Sequence, residues 1–186
     1  MNEELKKNRN ALFVTLTFST EEMNKIANEL FKKTDLNYEE ENELAKTAVR
    51  RFLERIRKLT KKSRKHWLIT EKGEDYDRIH LHGIIWCEKT LIKLWKYGFT
   101  YIGEYVNDRT INYITKYMLK EDEKHRGFQG KVMASVGIGS GYENSRNAKR
   151  NAYKGEHTNE MYKLNNGIEL PLPKYYHDKI YTDEVS

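Results

Sequence analysis

Apolar and polar residues alternate along "ALFVTLTFS", placing Leu12, Val14, Leu16 and Phe18 on one face and Thr15, Thr17 and Ser19 on the other. Period two of this kind predicts a half-buried strand with a hydroxyl-bearing face. The period changes in "STEEMNKIANELFKK", where Met23, Ile26, Ala27, Leu30 and Phe31 form a helical stripe. Ser19 and Glu22 stand at capping-box spacing at its start. After a break at "TDLN", a longer helix is predicted to about Leu59, with Ala45, Ala48, Val49, Phe52, Ile56 and Leu59 as its apolar face.

"HWLITEKG", with Glu71 near its end, and "IHLHGIIWC" predict two strands, and the polar "GEDYDR" between them predicts an antiparallel hairpin. "KTLIKLWKYG" predicts a short helix stopped by Gly98, and "TYIGEYV" a fourth strand. A helix follows from about Asp108 to Lys120, with Asp108 placed to cap it. Periodicity then fades until "MYKLNNGIELPLP", which predicts a hairpin turning at Asn166-Gly167. This order of elements implies an α+β fold: an antiparallel sheet with helices packed mainly on one face.

Length and composition narrow the class. The 186 residues suit a single domain, with about 10–122 as the core and 123–186 as a loop-rich extension packed on it. No segment approaches the ~20 apolar residues of a membrane span, and the polar start lacks the apolar stretch of a signal peptide. One cysteine, Cys87, excludes an internal disulfide and a multi-cysteine zinc site, and the expected setting is the reducing cytoplasm. The net charge of +6 is compatible with a nucleic-acid partner and does not by itself require one.

The chemistry begins at "HLHGIIW". Residues i and i+2 of a strand share a face about 6–7 Å apart, so His80 and His82 can converge on one ion. The hairpin would lay Glu71 beside them. Two imidazoles and a carboxylate leave coordination positions open, as a catalytic metal requires, although these ligand types alone do not fix the metal. On the predicted helix "INYITKYMLK", Ile111, Ile114 and Met118 form the apolar stripe, while Tyr113, Lys116, Tyr117 and Lys120 crowd the opposite face. Tyr113 and Tyr117 are one turn apart. A phenol is a weak nucleophile near neutral pH, and becomes useful where a cation polarises the electrophile and a lysine offsets charge. A phosphodiester suits that combination, and attack on it would yield a phosphotyrosine and a free sugar hydroxyl.

Taken in order, "FVTLTFS", "HLHGIIW" and "YITKYMLK" resemble the three motifs of the HUH endonucleases that initiate rolling-circle replication. The doubled tyrosine and the tail "LNNGIELPLPKYYHDKIY" are similar to the initiators of small single-stranded DNA phages, the microviruses. The resemblance implies an HUH nuclease fold with a central five-stranded, ferredoxin-like sheet. It implies His80, His82 and Glu71 as metal ligands, and Tyr113 and Tyr117 as alternating nucleophiles with Lys116 beside them. The implied activity is a metal-dependent, site-specific single-stranded DNA nickase and strand-transferase.

Mg2+ or Mn2+ is the expected cofactor, and the single-stranded replication origin the expected partner. Lys61, Lys62, Arg64, Lys65 and Lys120 are candidate DNA contacts. No helicase domain is recognised, so a separate helicase and single-strand-binding protein are expected, with a monomeric chain in the host bacterial cytoplasm if phage-encoded. A transposase or plasmid relaxase of the same superfamily is the enzymatic alternative, and a non-catalytic nucleic-acid-binding module the other. Such a module would carry stacking aromatics on its sheet. "GIGSGYEN" lacks phosphate-loop spacing and is expected to be a flexible loop. His66, His125, His157 and His177 have no ligand spacing and are expected at the surface, with Cys87 as a small buried hydrophobe.

Overall fold

The computed structural model describes residues 10–73, 77–103, 106, 110, 124–151, 161–163 and 169–171. The chain divides into two compact units, Asn8–Val136 and a second built mainly on residues 137–186.

In the first unit the alternating segment forms β1 (Ala11–Leu16), and the two helical stripes form α1 (Thr20–Phe31) and α2 (Tyr38–Thr60). The Ser19 hydroxyl accepts from the Glu22 amide and caps α1. The full reciprocal box falls on α2 instead, where the Asn37 side chain accepts from the Glu40 amide and Glu40 reaches back to the Asn37 amide. Both helices end on a lysine in the left-handed region, Lys32 and Lys61. The apolar face of α2 is buried from Leu44 to Ile56, but Leu59 is exposed because the last turn overruns the core.

The hairpin is β2 (His66–Lys72) and β3 (Ile79–Trp86), in the register that pairs Glu71 with His80 and Ile69 with His82. On its other side β3 pairs antiparallel with β1, Thr15 opposite His82. β4 (Thr100–Gly103) pairs with β1, and β5 (Val132–Ala134) with β2, so the sheet has five antiparallel strands in the order β4-β1-β3-β2-β5. The fifth strand lies past the point where the sequence pattern fades, since three residues are too few to show a period. One face packs on α1 and α2 through Val14, Leu16, Leu68, Leu81 and Ile85, with Phe52 and Ile56 from α2. This is an α+β fold with its core between sheet and helices. Cys87 is buried in that core.

Polar groups fasten α2 to β2. Lys72 makes a buried ion pair with Glu41 at 2.8 Å, and the Thr70 hydroxyl donates to Asn42 Oδ1. Asn42 also donates to the Gln129 carbonyl, and the Lys131 amide donates to Thr70, which leads the chain into β5. A buried charge pair of this kind is costly to break from one side.

"KTLIKLWKYG" forms a 3-10 helix, Lys89–Leu94, which ends before Trp95 rather than at Gly98. Gly98 serves another purpose, since a Cβ there would lie 2.4 Å from the Thr17 carbonyl oxygen and only glycine lets this loop reach β1. Trp95 packs edge-on against Phe18 and Phe52 and donates to the Thr17 carbonyl, while Arg55 donates to the Tyr97 hydroxyl.

Two of the histidines expected at the surface are tied into the structure. His125 is buried and stands 2.7 Å from Asp77, which Lys124 also pairs. His66 is half-buried, with Nδ1 2.9 Å from the Ser135 hydroxyl, and burial lowers its pKa. Neither contact has a sequence signature, because both partners are remote in the chain. His157 and His177 lie outside the described residues, as does the predicted helix 108–120 apart from Thr110.

In the second unit, "GIGSGYEN" is a succession of tight turns with Gly137 and Gly139 at positive φ. These turns lead into α3 (Arg146–Asn151), and the Ser145 hydroxyl accepts from the Ala148 amide. β6 (Met161–Lys163) and β7 (Glu169–Pro171) pair antiparallel, as the predicted hairpin requires. Among the described residues no helix is long and apolar enough to cross a membrane.

A Cβ on Gly83 would fall 2.1 Å from the Trp67 carbonyl oxygen and 2.7 Å from Leu68 Cα. Those are backbone atoms of the neighbouring strand and cannot yield without opening the sheet. Gly83→Ala should therefore destabilise the protein at or above the upper end of the ~1–3 kcal/mol typical of overpacking. A urea midpoint equal to wild type would show that the β2–β3 approach is looser than described.

Candidate metal centre

Strand alternation sends Glu71, His80 and His82 to the sheet face opposite the helices, while Lys72 and Leu81 turn to the core. The three side chains converge. Their ligand atoms all lie within 4.8 Å of one another. His80 Nε2 and His82 Nε2 are 2.9 Å apart, and a Glu71 carboxylate oxygen is 3.7 and 3.3 Å from them. Neighbouring ligands of one ion with bonds of about 2.1 Å stand about 3.0–3.4 Å apart, so this donor set fits a single divalent cation. All three are partly accessible, which leaves a side open to an incoming group.

The surroundings prepare the imidazoles to act as ligands. His82 Nδ1 is 2.9 Å from the Thr15 hydroxyl, and its ring stacks parallel to Phe13 at 6.0 Å. With Nδ1–H donating to Thr15, the Nε2 lone pair is aimed at Glu71 and His80. His80 Nδ1 lies 3.4 Å from the Arg78 carbonyl, a longer contact with the same orienting sense. Burial, reinforced by the neighbouring His80 and opposed by Glu71, pushes the His82 pKa down to about 4. At neutral pH this imidazole is therefore uncharged, the form that ligates a metal.

The sequence pattern placed Thr15 on the hydroxyl face of β1 but not opposite His82, since a strand's period says nothing of its register. The candidate DNA contacts Lys61, Lys62, Arg64 and Lys65 do not gather at this centre. They precede β2 at the end far from Glu71, about 17 Å along the strand at ~3.3 Å per residue. Lys61, Lys62 and Lys65 are exposed, and Arg64 pairs with Glu88. Arg64 and Lys65 also line a groove of about 830 Å3 between α2 and β5, together with Lys46, Arg50, Arg57 and Lys131. Tyr113, Lys116, Tyr117 and Lys120 lie outside the described residues.

A family model described as a replication-associated protein, of the ORF2 and gene 2 protein type, matches residues 11–122, more than half of the chain. The chain belongs to this replication-associated protein family. The matched span runs from the first residue of β1 through the hairpin that carries the triad, and continues past β4. As a replication-associated protein, the chain has its part in the initiation of replication. Neither a curated protein nor a solved structure matches it.

Two outcomes follow from the geometry. Thr15→Val keeps a strand-forming side chain but removes the acceptor that orients His82, and should weaken Mn2+ binding about 10- to 100-fold. An unchanged calorimetric titration would remove Thr15 from the site. The second concerns proton linkage in chelator-treated protein. His82 titrates lower in the folded chain than the ~6.5 of an exposed imidazole, so the unfolded chain takes up its proton first as pH falls. The stability it contributes is complete above about pH 6.5 and is lost toward pH 4, roughly 3 kcal/mol in all. Urea unfolding across that range should show a smaller loss in His82→Gln than in wild type; equal losses would mean that His82 is not held neutral by burial.

Proposed function

We propose that this replication-associated protein is a metal-dependent, site-specific single-stranded DNA nickase and strand-transferase that starts and ends rolling-circle replication. The observation that carries the reading is the convergence of Glu71, His80 and His82 on one accessible patch of the sheet. The membership of a replication-associated family gives that patch its substrate class.

Glu71, His80 and His82 would hold a divalent cation, whose chemistry when bound is to draw negative charge from the oxygens of a phosphodiester. Of Mg2+ and Mn2+, the imidazole pair favours Mn2+, because Mg2+ prefers all-oxygen surroundings. Tyr113 is the proposed first nucleophile. Its phenolic oxygen forms a bond to phosphorus as the bond to the 3′ oxygen breaks, leaving a 5′-phosphotyrosine and a free 3′-hydroxyl. The phenol loses its proton to solvent, the departing oxygen takes one up, and Lys116 offsets charge during the exchange. Tyr117 would act likewise in the second transfer, when the regenerated junction is cut and the circle closed. The single-stranded origin is the proposed partner, with unwinding and strand protection supplied by other proteins.

The same chemistry would serve a transposase or relaxase of the HUH type, and the paired tyrosines favour the replication initiator over these. A purely binding module leaves three clustered ligands on the open sheet face without a purpose.

His80→Ala combined with His82→Ala should abolish nicking of single-stranded oligonucleotides while leaving binding largely intact, because phosphate contacts come from lysine and arginine. Tyr113→Phe should lose most of the covalent protein–DNA adduct, since the ring remains and the nucleophilic oxygen is gone. Full cleavage by the histidine double variant, or an adduct mapped to neither Tyr113 nor Tyr117, would overturn the assignment.

A further inference from the structure

The register carries one row of residues across the whole sheet: Val132, Ile69, His82, Thr15 and Tyr101. Tyr101 thus lies on the metal-ligand face, two strands from His82, on the edge strand β4. At about 4.8 Å per strand its Cα is roughly 10 Å from that of His82. Its side chain is not packed away; Tyr101 is 55 % exposed, and Phe99, two residues earlier, is 71 % exposed. Large aromatics are seldom left this open in a chain that has a core to bury them.

The backbone beneath them is fixed. The Thr17 amide and hydroxyl both donate to the Phe99 carbonyl, at 2.9 and 3.0 Å. The preceding loop is held by Trp95, Tyr97 and the close approach of Gly98 to Thr17. Two exposed rings on a rigid edge, in line with a centre for phosphate chemistry, match what a single strand offers: a charged backbone with a flat base at every step. Lys96, three residues before Phe99, is exposed and has no carboxylate partner among the described residues, so a cation stands close by in the chain. That charge complements a polyanion.

We propose that Phe99 and Tyr101 form a stacking platform for the bases flanking the scissile phosphate, fixing the strand's path over the sheet. The inference rests on the proposed single-stranded DNA chemistry and adds a site to it. Stacking reads the flat face that every base shares, so the platform would set position and strand polarity rather than sequence. It also reconciles two features that separate a nuclease from a binding module: clustered ligands at mid-sheet and open aromatics at its edge.

The test compares a thymidine oligonucleotide with an abasic spacer oligonucleotide of equal length, by fluorescence anisotropy in excess chelator so that no cleavage intervenes. Wild type should prefer the oligonucleotide with bases by about 5- to 150-fold for each base stacked. Phe99→Ala with Tyr101→Ala should lose that preference while still binding the abasic strand and Mn2+ as wild type does. Tyr101→Phe, which keeps the ring, should retain it. A preference unchanged in the double variant would overturn the platform while leaving the nickase reading intact. Wild type that binds neither oligonucleotide would overturn both. A wild-type dimer that the double variant dissolves, with DNA affinity unaltered, would show that the rings face a second copy and would overturn the proposal as well.

Discussion

Everything the protein could do on its open sheet face depends on the register of β3 between β1 and β2. Antiparallel pairing puts Glu71 opposite His80 and Thr15 opposite His82, and a slip of one residue would turn both imidazoles into the core. The slip is opposed from both sides. Leu81 and Ile85 are fully buried against the helices, and Gly83 lies too close to the Trp67 carbonyl for any other residue to take its place. The ligand set is thus held by packing that has no chemistry of its own.

The same strand logic gives β2 two unlike neighbours in sequence. Glu71 faces the candidate centre, and Lys72, one residue on, is buried on the opposite face in its pair with Glu41 of α2. Thr70 joins that buried group through Asn42 and through the amide of Lys131, so the strand end that presents the carboxylate is also where helix and fifth strand are fastened. Rigid support of this kind is what a metal centre needs, because ligand atoms must be in place before an ion arrives. The low pKa of His82 has the same origin: the packing that orients the ring also removes the water that would stabilise its charge.

On this face the centre is flanked by Phe13, stacked on His82, and bounded at the edge by Tyr101 and Phe99. A metal centre and open aromatic rings ask different things of a strand of DNA. The first acts on the phosphate and the second on the bases, so together they would fix both the bond to be cut and the path of the chain through it.

Much of this was written in local pattern. Period two gave β1 and the hairpin, period 3.6 gave α1 and α2, and the HxH spacing put two imidazoles on one face. These features depend on neighbours in the chain, which is why they are legible there. Glu71 was within reach because a short hairpin leaves few possible registers. Tertiary structure decided the rest. Thr15 meets His82 across 67 positions, and β4 and β5 take the sheet's edges through contacts that no period encodes. Gly98 reads as a helix stop and serves instead as a point of close approach; His125 reads as a surface residue and is buried against Asp77. Periodicity states which way a side chain points, but only the assembled sheet determines what stands opposite it.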